Sequence, residues 1–183
     1  MIYAVLSIGS NLDERLRLLR TVPESLGARE DVQLVAASSV YATAPWGVTD
    51  QGEFLNAALL VRTRLSPLEL LRVGQELEQR ARRRRLRRWG PRTLDVDIVT
   101  VTDATGAELS SADPTLTLPH PHAYHRAFVL IPWLEIDPKA RLARRRVAEL
   151  VAELDPAERA GVFKTVGLRR GRSRWRRGRA WRG

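Results

Sequence analysis

The sequence predicts an α+β fold: an antiparallel sheet with helices packed on it. Three observations carry the expectation. Apolar runs rich in Val, Ile and Leu alternate with segments in which apolar residues recur every three or four positions. The order is strand, helix, strand, strand, helix, strand. Helix-capping sequences stand where the pattern switches from a period of two to the helical one. With 183 residues, 44% of them hydrophobic, the chain suits one domain with a real core.

Residues 2–8 read as a first buried strand. Gly9-Ser10-Asn11 breaks it, and Leu12, Leu16, Leu19, Val22 and Leu26 set a helical stripe. Ser10 or Asn11 is the expected N-cap, with Asp13 and Glu14 placed to complete a capping box and Gly27 as the stop. The acids at this cap favour a structural turn over an anion site. Residues 32–41 form the second expected strand. The loop that follows, 42–52, is long for a hairpin and carries Pro45 and Trp46, which suits a functional loop. Residues 54–61 are the third strand, with Asn56 inside the apolar run. A buried Asn needs partners for its amide. Two readings stand: a core residue that bridges backbone, or a reader of the polar edge of a planar heterocycle.

Ser66-Pro67 with Glu69 supplies a cap, a first-turn Pro and an acid at the third helical position, so a helix starts there and runs to about Arg80. Residues 94–102 make the fourth strand. Residues 103–115 are polar, with Gly106 and Pro114, and read as a surface loop. Residues 128–136 and 147–154 are expected helices, and 163–166 a last short strand. The β-α-β-β-α-β order with C-terminal helices is the ferredoxin-like pattern, two helices lying on one face of the sheet.

The net charge of +10 is unevenly spread. Eight arginines fall between Arg80 and Arg92 and eight more from Gly167 onward, so residues 1–166 carry only +2. The basicity is a patch and a tail, not a general nucleic-acid face. The strands are aliphatic, without the aromatics on which an RNA-binding sheet stacks bases, so no specific nucleic acid is expected. The tail alone offers a weak polyanion contact through counterion release. Absent cysteine removes disulfides, thiolate catalysis and Cys-ligated zinc. No apolar run approaches the ~18 residues of a membrane span. The first residues lack a basic lead-in, so the expected compartment is the cytoplasm.

Chemistry concentrates in Arg88-Trp89-Gly90-Pro91-Arg92-Thr93-Leu94-Asp95-Val96-Asp97-Ile98. Alternate strand residues share a face, so Asp95 and Asp97 point the same way. Two carboxylates on one face repel unless a cation sits between them, and oxygen-only donors select a hard ion such as Mg²⁺. Arginines beside such an ion suit a polyphosphate. The bland alternative is a pair of solvated acids at a strand end beside a solvated basic face. The histidines His120, His122 and His125 cluster in 120–125 without helical spacing, which favours hydrogen bonding to phosphate or loop backbone over a metal site.

At these residues the chain resembles the 6-hydroxymethyl-7,8-dihydropterin pyrophosphokinase family. The likeness runs from Met1 to about Asp155, on Ser7-Ile8-Gly9-Ser10-Asn11-Leu12, on Phe54-Leu55-Asn56-Ala57-Ala58, on Arg88 through Asp97, and on Leu116-Thr117-Leu118-Pro119-His120-Pro121. The resemblance implies a ferredoxin-like fold and transfer of the pyrophosphoryl group of ATP to the pterin hydroxymethyl oxygen, with AMP released. The length suits a single domain over residues 1–166, expected to act as a monomer, and the alternating Arg, Gly and Trp of 167–183 read as a disordered basic tail.

The resemblance also implies roles. Asp95 and Asp97 would hold two Mg²⁺ ions with ATP. Arg83, Arg85, Arg88 and Arg92 would handle the triphosphate, Arg83 and Arg92 as catalytic groups with the two aspartates. Trp89 would lie in a loop closing over the site. Glu78, Ile98, Thr117, His120 and Arg126 would complete the ATP site. Thr43, Pro45, Trp46, Phe54, Asn56, Asp95 and Phe128 would form the pterin pocket, Asn56 pairing with the ring edge and Phe128 stacking on it. This chain departs from the family pattern at four places. Phe54 stands for a common Tyr, Arg82 for a Gly before the first loop arginine, and Thr115 and Pro121 for an Arg and a Tyr of some relatives.

Overall fold

The computed structural model describes residues 1–12, 14–43, 53–81 and 93–168. In chain order the elements are β1 (Ile2–Ser10), α1 (Arg15–Gly27), β2 (Val32–Ala37), β3 (Ser39–Thr43), β4 (Phe54–Thr63), α2 (Pro67–Arg80), β5 (Asp95–Asp103), β6 (Ser111–Asp113), β7 (Leu116–Leu118), α3 (Ala127–Ile136), β8 (Arg141–Leu142), β9 (Arg145–Arg146), α4 (Val147–Glu153), α5 (Pro156–Ala160) and β10 (Val162–Gly167). The main sheet has the order β10-β3-β4-β1-β5, with β2 also paired to β4. Its ladders are antiparallel.

The alternation read from sequence sorts the strands between two cores. Ala4, Leu6 and Ile8 of β1, Leu59 and Val61 of β4, and Val96 and Ile98 of β5 pack with Leu19, Val22 and Leu26 of α1 and Leu70, Val73 and Leu77 of α2. Val5, Ala58 and Val99 face the other way, against Val129, Leu130 and Trp133 of α3 and Leu150 of α4. Helices therefore cover both faces: the two interior helices lie together on one, as expected, and the C-terminal helices take the opposite one. The sheet's register along β5 carries a bulge. Val5 pairs Thr100 while Leu6 pairs Ile98, so Val99 is an extra residue.

Local chemistry explains most boundaries. Ser66 and Glu69 form the expected capping box on α2. The expected cap of α1 is wrong: β1 runs through Ser10, the Ser10 hydroxyl donates to Leu12 O, and Glu14 takes the N-cap position without a side-chain cap bond. The single strand expected over 32–41 is broken at Ser38. There the Ser38 hydroxyl accepts from Ala58 N–H at 2.9 Å and donates to Ser39 O at 2.7 Å, standing in for ladder backbone. The polar loop 103–115 hides β6, which pairs with β7 just beyond it. The folded body also ends later than Val166. β10 runs through Gly167, and Leu168 is 1% exposed in the α1/α2 core, its carbonyl held by Arg20 Nε at 3.1 Å. Residues 169–183 of the basic tail lie outside the described residues.

β5 is an edge strand, and an edge leaves a row of unpaired backbone groups. Three other segments meet that edge. The Glu78 carboxylate of α2 accepts Val96 N–H at 2.9 Å, His120 N–H donates to Val99 O at 2.8 Å, and Leu109 N–H donates to Val101 O at 2.8 Å.

Candidate active site

The ladder pairs Asp95 with Gly9, Gly9 with Asn56, and Asn56 with Tyr41. One register line thus crosses β5, β1, β4 and β3. Asp97 follows beside Ser7. By alternation Asp95 and Asp97 share the face of Val99, Ser7 and Gly9 that of Val5, and Asn56 that of Ala58. This is the face that α3 covers. Asp95 is buried and Asp97 half-buried.

Asn56 is 4% exposed, and its Nδ2 donates to Thr43 Oγ1 at 2.7 Å, itself 3% exposed. This bond ties β4 to β3 through their side chains. Asn56 Oδ1 lies over Gly9: a Cβ added there would stand 2.8 Å from it. Gly9 is therefore needed for the close approach of the amide, a role the turn reading of Gly9-Ser10-Asn11 missed. Phe54 pairs Thr43 across the same ladder.

The loop after β7 delivers His120. His122 N–H donates to His120 Nδ1 at 3.1 Å, so the neutral ring carries its proton on Nε2. Its pKa is pushed down to about 4, first by burial, then by the Arg126 guanidinium and His122; the loop backbone and the Asp95 carboxylate pull the other way. His120 therefore stays a neutral donor near pH 7. Arg126 is buried at the N-cap of α3, its Cζ 5.7 Å from the Phe128 ring centre. Phe128 is half-buried in the first turn of α3.

Three expected residues sit differently. Ile98 is buried in the α1/α2 core, on the face opposite Asp97, so its side chain does not point with the aspartates. The Glu78 carboxylate is 6% exposed and engaged with Val96 N–H, between the two aspartates in sequence. Thr117 is exposed on β7, its hydroxyl donating to Asp113 O at 3.4 Å. Pro45, Trp46, Arg83, Arg85, Arg88, Trp89 and Arg92 lie outside the described residues.

Sequence reading also missed a hub under the site. Glu135 of α3 accepts from Ser39 N–H, the Ser39 hydroxyl, the Tyr41 hydroxyl and Lys164 Nζ, each at 2.9 Å. Burial raises its carboxyl pKa, but these donors outweigh it and the net shift is downward. Burial, then the Glu135 bond and charge, push Tyr41 up to about 12. The hub ties α3 to β3 and β10 beneath the Thr43–Asn56 pair. Its members are 94 and 29 residues apart along the chain, which no local pattern reveals.

Among the described residues no three His, Asp or Glu side chains gather as a metal cage. The donor set at Asp95 and Asp97 is two carboxylates. That fits Mg²⁺, which keeps waters and takes substrate phosphates alongside one or two protein carboxylates, and does not fit zinc.

The family model described as 7,8-dihydro-6-hydroxymethylpterin-pyrophosphokinase matches residues 5–138. The chain belongs to this family. Among pyrophosphokinase relatives, 2-amino-4-hydroxy-6-hydroxymethyldihydropteridine pyrophosphokinase of Mycobacterium tuberculosis is 48% identical over 171 residues, 88% of this chain and 89% of the relative. The protein of that name from Methylorubrum extorquens is 42% identical over 157 residues, covering 86% and 96%. That from Bacillus subtilis is 40% identical over 133 residues, covering 73% and 77%. Among solved structures, Plasmodium falciparum HPPK-DHPS with pteroate superposes with a TM-score of 0.61 at 14% identity, over 83% of this chain. The chain spans less than half, 42%, of that longer polypeptide, and the likeness speaks for the fold alone. The residues of the register line, with Asp97, His120, Arg126 and Phe128, fall inside the pyrophosphokinase match.

Proposed function

We propose that this chain transfers the β,γ-pyrophosphoryl group of ATP to 6-hydroxymethyl-7,8-dihydropterin, a step of tetrahydrofolate biosynthesis. The pterin hydroxymethyl oxygen attacks the β-phosphorus, the bond from that phosphorus to the α-phosphate oxygen breaks, AMP leaves, and the hydroxyl proton is released. The observation that carries the reading is the register line. In a member of this family it sets the paired carboxylates of β5 two strands from an Asn–Thr pair suited to a heterocycle's polar edge.

Asn56, fixed by Thr43 and Gly9, offers its amide to the ring edge, and Phe128 supplies an aromatic face. Asp95 and Asp97 would hold Mg²⁺, two ions with ATP. Bound there, Mg²⁺ neutralises phosphate charge and acidifies the attacking hydroxyl. Neutral His120 donates from Nε2 to a phosphate oxygen, and Arg126 adds positive charge. Arg83, Arg85, Arg88, Arg92 and Trp89 are assigned to the triphosphate, with Arg83 and Arg92 compensating charge in the transition state; Pro45 and Trp46 are assigned to the pterin side. Phosphoryl transfer needs chiefly alignment and charge compensation, which this set supplies.

The strand order β5-β1-β4-β3, with α1 and α2 together on one face, supports the ferredoxin-like description, β10 and α3–α5 being additions. We assign the activity to a monomer, and ATP as donor favours the cytoplasm.

The test supplies ATP, Mg²⁺ and the pterin and resolves AMP from ADP by chromatography. Pterin-dependent AMP without ADP is expected. ADP would mean transfer of a single phosphoryl group and a different substrate pose. Asp97→Ala should abolish most AMP formation while pterin affinity, read by pterin fluorescence, stays close to the parent's. Preserved turnover would remove the metal assignment.

A further inference from the structure

α3 has no side-chain cap of its own. Its N-cap residue is Arg126, in extended conformation, with no side-chain cap bond. The first helical amide, Ala127 N–H, donates instead to Glu158 Oε1 at 3.1 Å, from 31 residues further along the chain. Glu158 lies on α5, a short helix started by Asp155 and Pro156 and lying beyond the family match, which ends at 138. Arg126 and Phe128, the ATP-side cation and the pterin-side ring, flank that one amide. A carboxylate at the start of a ten-residue helix also meets the favourable end of its dipole.

The same C-terminal segment reaches the pocket a second time. Directly after α5, Val162 of β10 pairs Thr43, the residue that holds Asn56.

We infer that Glu158 is a positioning residue for the substrate pocket, acting from beyond the family-model match by fixing the Ala127 amide between Arg126 and Phe128. Residues 155–168 thus brace the pocket from both the α3 and the β3 side. The inference rests on the assignment of Phe128 to the pterin site, so the experiment carries Phe128→Ala as a reference.

Pterin binding is measured by fluorescence titration on the full chain for the parent, Glu158→Ala, Glu158→Gln and Phe128→Ala, with steady-state kinetics alongside. Loss of a helix-start hydrogen bond corresponds to about a fivefold effect. Glu158→Ala should weaken pterin binding and raise the ATP KM by about that factor, with kcat changed less than about twofold. Glu158→Gln keeps an acceptor oxygen and should restore most of both. Parent-like binding in Glu158→Ala, with or without a lower Tm, overturns the inference when Phe128→Ala does weaken binding. Unchanged binding in Phe128→Ala as well would overturn the pocket assignment and the inference with it. Should Glu158→Ala fail to fold, the Ala127 amide resonance decides in Glu158→Gln: a shift on losing the charge is expected, and an unmoved resonance overturns the hydrogen bond.

Discussion

A methyl group at residue 9 would stand 2.8 Å from Asn56 Oδ1, closer than real contacts allow. Asn56 cannot yield freely, because its other amide atom is bonded to buried Thr43. Gly9→Ala should therefore push the amide off the ring edge and weaken pterin binding by about tenfold, the order expected for overpacking of one methyl. Fluorescence titration checks it, and parent-like affinity would take Asn56 out of the pocket. His120 gives the pH prediction. Its folded pKa, about 4, is lowered from the ordinary 6.5. For a base lowered on folding, the unfolded chain binds the proton first, so the stability tied to this residue is intact above about 6.5 and is lost progressively as pH falls toward about 4. Urea unfolding from pH 7 to 4 should show that loss in the parent and a smaller one in His120→Gln. A His120 ring resonance that titrates near 6.5 would contradict it.

Between α2 and β5, Glu78 does the work of a missing neighbour strand. Its oxygen receives the edge N–H of Val96, and Gly74 lets the helix close in, since a Cβ there would lie 3.2 Å from Val96 Cγ1. Glu78→Ala should leave that buried amide unsatisfied at a cost of about 1–3 kcal/mol and loosen the start of β5, while Glu78→Gln, with an acceptor kept, should restore order. Amide exchange at Val96 checks this directly; protection unchanged in Glu78→Ala would show another acceptor at that edge. The strands and α2 were legible because alternation and the Ser66–Glu69 box are local. The facing of Asp95 with Asp97 and the depth of Asn56 came from the same alternation. What stayed hidden is non-local. Ser38 mimics backbone only once β4 lies beside it, and Glu78 finds Val96 18 residues on. α3 is apolar nearly all round, so its pattern could not say which face meets the sheet.

Across the whole molecule, helices on both faces seal the sheet, and among the described residues the last buried one is Leu168. Ending the chain after Leu168 removes eight arginines yet no described contact. Ending it after Val166 removes a fully buried Leu, about 2–3 kcal/mol, and the two carbonyls that Arg20 holds. The first truncation should keep the parent Tm, while the second should lower it by about 5–10 °C; a thermal scan that fails to separate the two would place the body's end elsewhere. The tail's composition pointed to a boundary near this place, but only the burial of Leu168 fixes it. The pocket residues follow one another along the chain in a telling sequence. Gly9, Thr43 and Asn56 leave the ribosome first, on strands that pair with one another without β5. Asp95 and Asp97 come later, then Phe128, and Glu158 last. The Gly9–Asn56–Thr43 cluster thus has all its members before β5 exists, whereas the α3 side of the pocket waits for the carboxylate of Glu158.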